Sequence, residues 1–176
     1  MKIGIVSAEG RGETDRLISE TAAALVAAGA RLSGIVKVLD EVQPEDSHHC
    51  DMSVRVLPTE RTIKITQTLG GESLGCRLNP TAIVEAVAAV ASSAADDTEL
   101  FVLNKFGPEE ADGRGFRDAI ANALERDVPV LVGVTPATRA AFDTFTAGMA
   151  ETLPTETAEI LHWCRAAMNK TDRQGA

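Results

Sequence analysis

Residues 9–14, Glu9-Gly10-Arg11-Gly12-Glu13-Thr14, stand between an apolar run, Ile3–Val6, and a helical pattern that begins near Thr14. Glycines at such a junction let backbone N–H groups and the positive end of a helix dipole face an anion. The pattern of a phosphate-binding loop is G-x-x-x-x-G-K-[ST]. Here it falls on Ser7, Gly12, Glu13 and Thr14, so serine replaces the first glycine and glutamate the lysine. The backbone suits an anion, while the charge at the key position is reversed.

Further places carry cations, carboxylates or metal-ligand residue types. Asn104-Lys105 follows the apolar run Leu100–Leu103, where Lys105 could replace the missing loop cation or form a salt bridge with Glu13. Cys76-Arg77 lies in the glycine-rich stretch 69–78, and Arg114 lies between Gly113 and Gly115. Arginine suits oxyanions because its fork donates two parallel hydrogen bonds; either arginine could instead pair with one of the many carboxylates. Glu109-Glu110 could supply a general base, but reads equally as an exposed acidic pair on an acidic surface. His48-His49-Cys50-Asp51 has metal-ligand residue types but lacks the spacing of a structural zinc site, and reads as a polar loop unless His49, Cys50 and Cys76 meet in space. No catalytic residue and no metal ligand is assigned.

These residues need a scaffold. Apolar runs at Ile3–Val6, Leu32–Leu39, Leu100–Leu103 and Val130–Val134 read as strands of a parallel sheet, with helices at 14–28, 80–91, 116–126, 137–147 and 155–169 between and after them. Asn79-Pro80 supplies an N-cap and a first-turn proline. Runs 52–57 and 62–66 alternate apolar and polar residues around Pro58-Thr59-Glu60-Arg61, which predicts a β-hairpin inserted at one edge. Ligands of such α/β folds sit beyond the carboxyl ends of the strands. That places Ser7–Thr14, Asn104–Pro108 and Thr135-Pro136 together.

Composition bounds the rest. The 176 residues carry 44% hydrophobic side chains, enough for one domain, expected over 1–170 with a frayed tail at 171–176. A net charge of −9 disfavours nucleic acid and anionic membranes as partners. The three cysteines form no disulfide framework, and no signal peptide or membrane-length apolar run is visible, so a cytoplasmic protein is expected.

The stretch Leu100-Phe-Val-Leu-Asn-Lys-Phe-Gly-Pro-Glu-Glu110, then Phe116-Arg-Asp-Ala-Ile120 and Val128-Pro-Val-Leu-Val132, resembles the second half of the THEP1-like nucleoside triphosphatases. The segments Leu69-Gly70…Ser73-Leu-Gly-Cys-Arg-Leu78 and Asn104-Lys-Phe-Gly107…Glu110…Gly113-Arg-Gly115 resemble an uncharacterised bacterial family built on the same core. The genes of that family are often associated with molybdate uptake. The resemblance implies an α/β, three-layer P-loop NTPase-like domain, with a mostly parallel sheet and an inserted β-hairpin.

Hydrolysis by such an enzyme needs the loop lysine, a hydroxyl ligand to Mg²⁺ and an acidic residue at the strand end. Only Thr14 is retained: Glu13 replaces the lysine, and Asn104-Lys105 replaces the acidic pair. The expectation is a non-hydrolysing ligand-binding or accessory protein with a degenerate Walker loop. Its ligand would be a small anion, molybdate or tungstate or the phosphate of a nucleotide, held without Mg²⁺. The contacts would come from Glu9–Thr14, Asn104, Lys105, Cys76, Arg77 and Arg114. Two readings stay open beside it: a weak triphosphatase that uses Lys105, and an interaction protein with a vestigial pocket. Homo-oligomerisation is compatible with all three.

Overall fold

The computed structural model describes residues 1–39, 52–67, 77–93 and 97–171. Among these, β1 (Ile3–Val6), β2 (Leu32–Lys37), β3 (Ser53–Leu57), β4 (Arg61–Lys64), β7 (Leu100–Phe106), β8 (Val130–Val134) and β9 (Glu151–Thr152) form one sheet; Thr66–Gln67 (β5) and Arg77–Leu78 (β6) pair separately. The strand order is β4-β3-β2-β7-β8-β1-β9. Strands β2, β7, β8, β1 and β9 run parallel. The hairpin β3–β4 adds the antiparallel edge beside β2, as its alternating pattern predicts.

Helices cover both faces of this sheet. On one side α1 (Glu13–Ala27) and α6 (Thr157–Thr171) bury Leu17, Ile18, Leu25, Ile160 and Cys164 against Val6, Leu100, Val102 and Leu131. On the other, α2 (Pro80–Ser93), α4 (Arg117–Glu125) and α5 (Pro136–Phe145) pack Ala86, Ile120 and Phe142 against Ile5, Ile35, Leu103 and Val132. The central strands are apolar on both sides because both sides are covered. The Asn79 carboxamide accepts the N–H groups of Thr81 and Ala82, so the proposed cap of α2 is made. No described helix is long and apolar enough to cross a membrane.

Some elements differ from the sequence reading. β2 stops at Lys37, two residues short of Leu39. The polar stretch after Gly107 holds a short helix, α3 (Pro108–Ala111). The two-residue strands β5, β6 and β9 are too short for any periodicity to register. β7 and β8 change register between Leu103 and Phe106, which pair with Val132 and Val134. Asn104 and Lys105 therefore share the space opposite Gly133, an extra residue that marks a β-bulge. A side chain at Gly133 would lie 2.2 Å from the Asn104 carbonyl oxygen, so the bulge requires glycine there.

Candidate functional site

The glycine turn enters α1 through left-handed backbone at Gly10 (φ 99) and Gly12 (φ 80), a conformation that costs glycine little. Thr14 then closes the turn on itself: its Oγ1 accepts the Ala8 N–H at 3.0 Å. The Glu13 carboxylate does not face the strand ends as a substitute lysine would. It takes the Arg16 guanidinium at 3.0 and 2.5 Å, and Arg16 continues to Glu20 at 2.6 Å. Hydrogen bonds from Arg16 hold the Glu13 carboxyl below the usual carboxylate range. Glu13 thus pairs within its own helix, and the alternative of a bridge to Lys105 is not realised. Glu9 and Arg11 are exposed on the turn.

At the strand ends Asn104 is buried and bonded to two neighbouring elements. Its Nδ2 donates to Asp15 at 2.7 Å, and its Oδ1 accepts the Lys37 N–H at 3.1 Å. Lys37 Nζ reaches the other Asp15 oxygen at 3.3 Å, while Ser19 Oγ donates to the Lys37 carbonyl at 2.9 Å. The first turn of α1 is thereby locked to the ends of β2 and β7. Lys105, the next residue of the bulge, is exposed and has no partner among the described residues.

Beyond β7 the chain folds over Glu110. This carboxylate is 6% exposed and accepts the N–H groups of Gly107 at 2.8 Å and Phe116 at 3.0 Å. Glu110 is therefore a buried knot in the turn, and not half of an exposed acidic pair. Glu109 does lie at the surface, where Arg114 Nε donates to it at 2.8 Å and holds its carboxyl below the ordinary range. Arg114 also meets Asp112 at 3.2 Å, so two carboxylates already occupy its fork.

The three segments expected to converge do so. Gly133 lies between the Asn104 backbone and the Thr14 methyl, and Thr138 Oγ1, one turn after Thr135-Pro136, donates to the Phe106 carbonyl at 2.9 Å. A cavity of about 210 Å³ opens beside one of them, Asn104–Pro108; among the described residues, neither the glycine turn Ser7–Thr14 nor Thr135-Pro136 lines it. Asp15, Lys37, Ser53, Asn104, Lys105, Glu109 and Glu110 supply its polar lining, and Ile35, Val54, Ile65, Ile83 and Phe116 contribute apolar walls. Sequence reasoning missed Asp15 and Lys37. The available signals were position alone: an acid in the first turn after a glycine loop, and a lysine at the end of a parallel strand.

Cys76, His48, His49 and Cys50 lie outside the described residues. Arg77 begins β6 opposite Gln67; its side chain lies outside them too. Cys164 is buried in α6, where burial pushes its thiol up to about 12, far from nucleophilic service.

A family described as "Protein of unknown function (DUF2478)" matches residues 3–163. The molybdenum import ATP-binding protein ModC 2 of Bradyrhizobium diazoefficiens is 36% identical over 163 residues, which cover 92% of this chain and 18% of that protein. The chain thus spans less than a fifth of the length of this relative. The solution structure of a human cancer-related nucleoside triphosphatase superposes with a TM-score of 0.61 at 15% identity, over 97% of this chain and 96% of that one. That likeness shows a P-loop NTPase fold.

Proposed function

We propose that this chain, which belongs to the DUF2478 family and has a P-loop NTPase fold, is a ligand-binding module that holds an anionic group without hydrolysing it. The anion would be an oxyanion such as molybdate or tungstate, or a nucleotide phosphate. It would sit beyond the ends of β2 and β7, beside the glycine turn, with Lys105 as the principal cation.

One observation carries this reading. At three positions where a triphosphatase of this fold uses a polar group on Mg-nucleotide, the residue present here is engaged inside the protein. Glu13 is held by Arg16, the Thr14 hydroxyl by Ala8, and the Asn104 carboxamide by Asp15 and Lys37. Phosphoryl transfer depends on positioned charge on the transferred group, and little of that charge remains. Lys105 supports anion binding, because it is a cation on the cavity wall with no partner among the described residues. The molybdenum import named for ModC 2 supports an oxyanion, and a cytoplasmic accessory role beside a transport ATPase.

Isothermal titration with molybdate, tungstate, phosphate and ATP tests the proposal, with phosphate release followed in parallel. Expected are binding of at least one anion, weakened in Lys105→Ala, and no release above background. Absence of heat with every one at millimolar concentration would refute it. The partnerless Lys105 also favours a second reading, a slow triphosphatase that uses this lysine in place of the loop cation. Phosphate release that survives Glu13→Ala and disappears in Lys105→Ala would establish that reading instead.

A further inference from the structure

The cavity lining is chemically mixed. Ile35 and Val54 of the sheet, Ile83 of α2 and Phe116 make walls without hydrogen-bonding groups. The polar side chains of its lining are Asp15, Lys37, Ser53, Asn104, Lys105, Glu109 and Glu110, with Lys37, Asn104 and Lys105 at the carboxyl ends of β2 and β7. A bare tetrahedral oxyanion is polar in every direction, so seated here it would press oxygens against aliphatic walls and lose hydration without replacement. An organic body would fill those walls. An apolar cavity of about 150 Å³ accepts benzene, so about 210 Å³ leaves room for one ring and a one-carbon acid group.

Charge along the polar lining selects the acid. Asp15 is balanced by Lys37 at 3.3 Å. Glu109 is balanced by Arg114 at 2.8 Å, and the buried Glu110 is held by backbone N–H groups. Lys105 is left as a cation on the wall without a carboxylate partner among the described residues. Asn104 uses one of its two amide hydrogens on Asp15, and Lys37 one of its three ammonium hydrogens, so both retain donors beside it.

We infer that this cavity binds a small aromatic or heteroaromatic carboxylic acid, with the ring among Ile35, Val54, Ile83 and Phe116 and the carboxylate on Lys105. The inference rests on the reading that Lys105 meets an anionic group, and it names the body attached to that group.

Protein labelled at the Ile, Leu and Val methyls and uniformly with ¹⁵N, titrated with benzoate and nicotinate, and separately with molybdate and ATP, provides the test. Both acids should shift the methyl resonances of Ile35, Val54, Ile65 and Ile83. Ile83→Trp, which fills the cavity from α2, should abolish these shifts. Lys105→Ala, at an exposed position that folding tolerates, should weaken the acids about tenfold, the scale of one charge-assisted hydrogen bond. Methyls unmoved by either acid at millimolar concentration overturn the inference, as do shifts of undiminished affinity in Lys105→Ala. If the acids fail while molybdate or ATP moves the amides of residues 9–14 and Lys105, the anion-binding proposal stands and this one falls. If no probe moves any resonance, both fall.

Discussion

A single replacement at the loop lysine would invite the idea that hydrolysis could be restored by reversing it. The contacts around Glu13 argue otherwise. Glu13 turns outward to Arg16, while the groups that would face Mg-nucleotide, Thr14 Oγ1 and the Asn104 carboxamide, are engaged with Ala8, Asp15 and Lys37. Glu13→Lys is therefore expected to leave phosphate release at background in a malachite-green assay. Release appearing in that variant would show that the other engagements yield to a nucleotide. Asn104→Asp is expected to be worse than neutral, because it sets a second carboxylate against Asp15 at the position now bonded at 2.7 Å. The loss should be about 2 kcal/mol near neutrality and should shrink as pH falls through the carboxylate range, where one of the pair takes a proton. Urea melts at two pH values measure both parts.

At the scale of elements, the bulge in β7 is the device that aims Asn104 and Lys105. Regular alternation would put successive side chains on opposite faces; the extra residue opposite Gly133 lets both border one cavity. Gly133→Ala is expected to lower stability by about 3 kcal/mol, because its Cβ would meet the Asn104 carbonyl and the Thr14 methyl. A melting temperature unchanged by this substitution would mean that the bulge is easily rearranged. Helix α6 offers a pH test. Burial raises the Cys164 thiol from 9.0 to about 12, so the unfolded chain loses this proton first as pH rises. The stabilisation is complete below pH 9 and declines progressively up to about 12. Alkaline unfolding should begin earlier in wild type than in Cys164→Ala, once both curves are referred to their stability at neutral pH.

Across the whole molecule, the sole tryptophan and the cavity lie on opposite faces of the sheet. Trp163 lies over Gly4 of β1 and donates to Glu151 at 2.9 Å, alongside α1 and α6. Its emission should follow global unfolding yet stay unchanged when a ligand fills the cavity under α2. Ligand at a hundred times its Kd should raise the unfolding free energy by about 2.7 kcal/mol, read from the urea midpoint. A ligand-induced change in native emission would place the bound molecule, or a conformational response to it, on the α1–α6 side.

The strand–helix alternation, the edge hairpin and the reversed charge at Glu13 were legible in the order of residues, because each is written in local spacing: apolar runs, period-two alternation, a glycine turn with a glutamate in it. Convergence of the glycine turn with Asn104 was also legible, since parallel strands bring their carboxyl ends together. What each polar group does there was not. Glu13 could have paired with Lys105 across the fold; it takes Arg16, three positions on along α1, instead. Glu110 looks like its exposed neighbour until the chain folds back and Gly107 and Phe116 give it their N–H groups. Asp15 and Lys37 are 22 positions apart, and both lie far along the chain from Asn104, which they nevertheless hold. Partner choice among charged side chains depends on distances of a few ångströms between elements that are remote in sequence. The bulge, which shifts β7 by one residue, sets those distances without leaving any mark in the period of the strand.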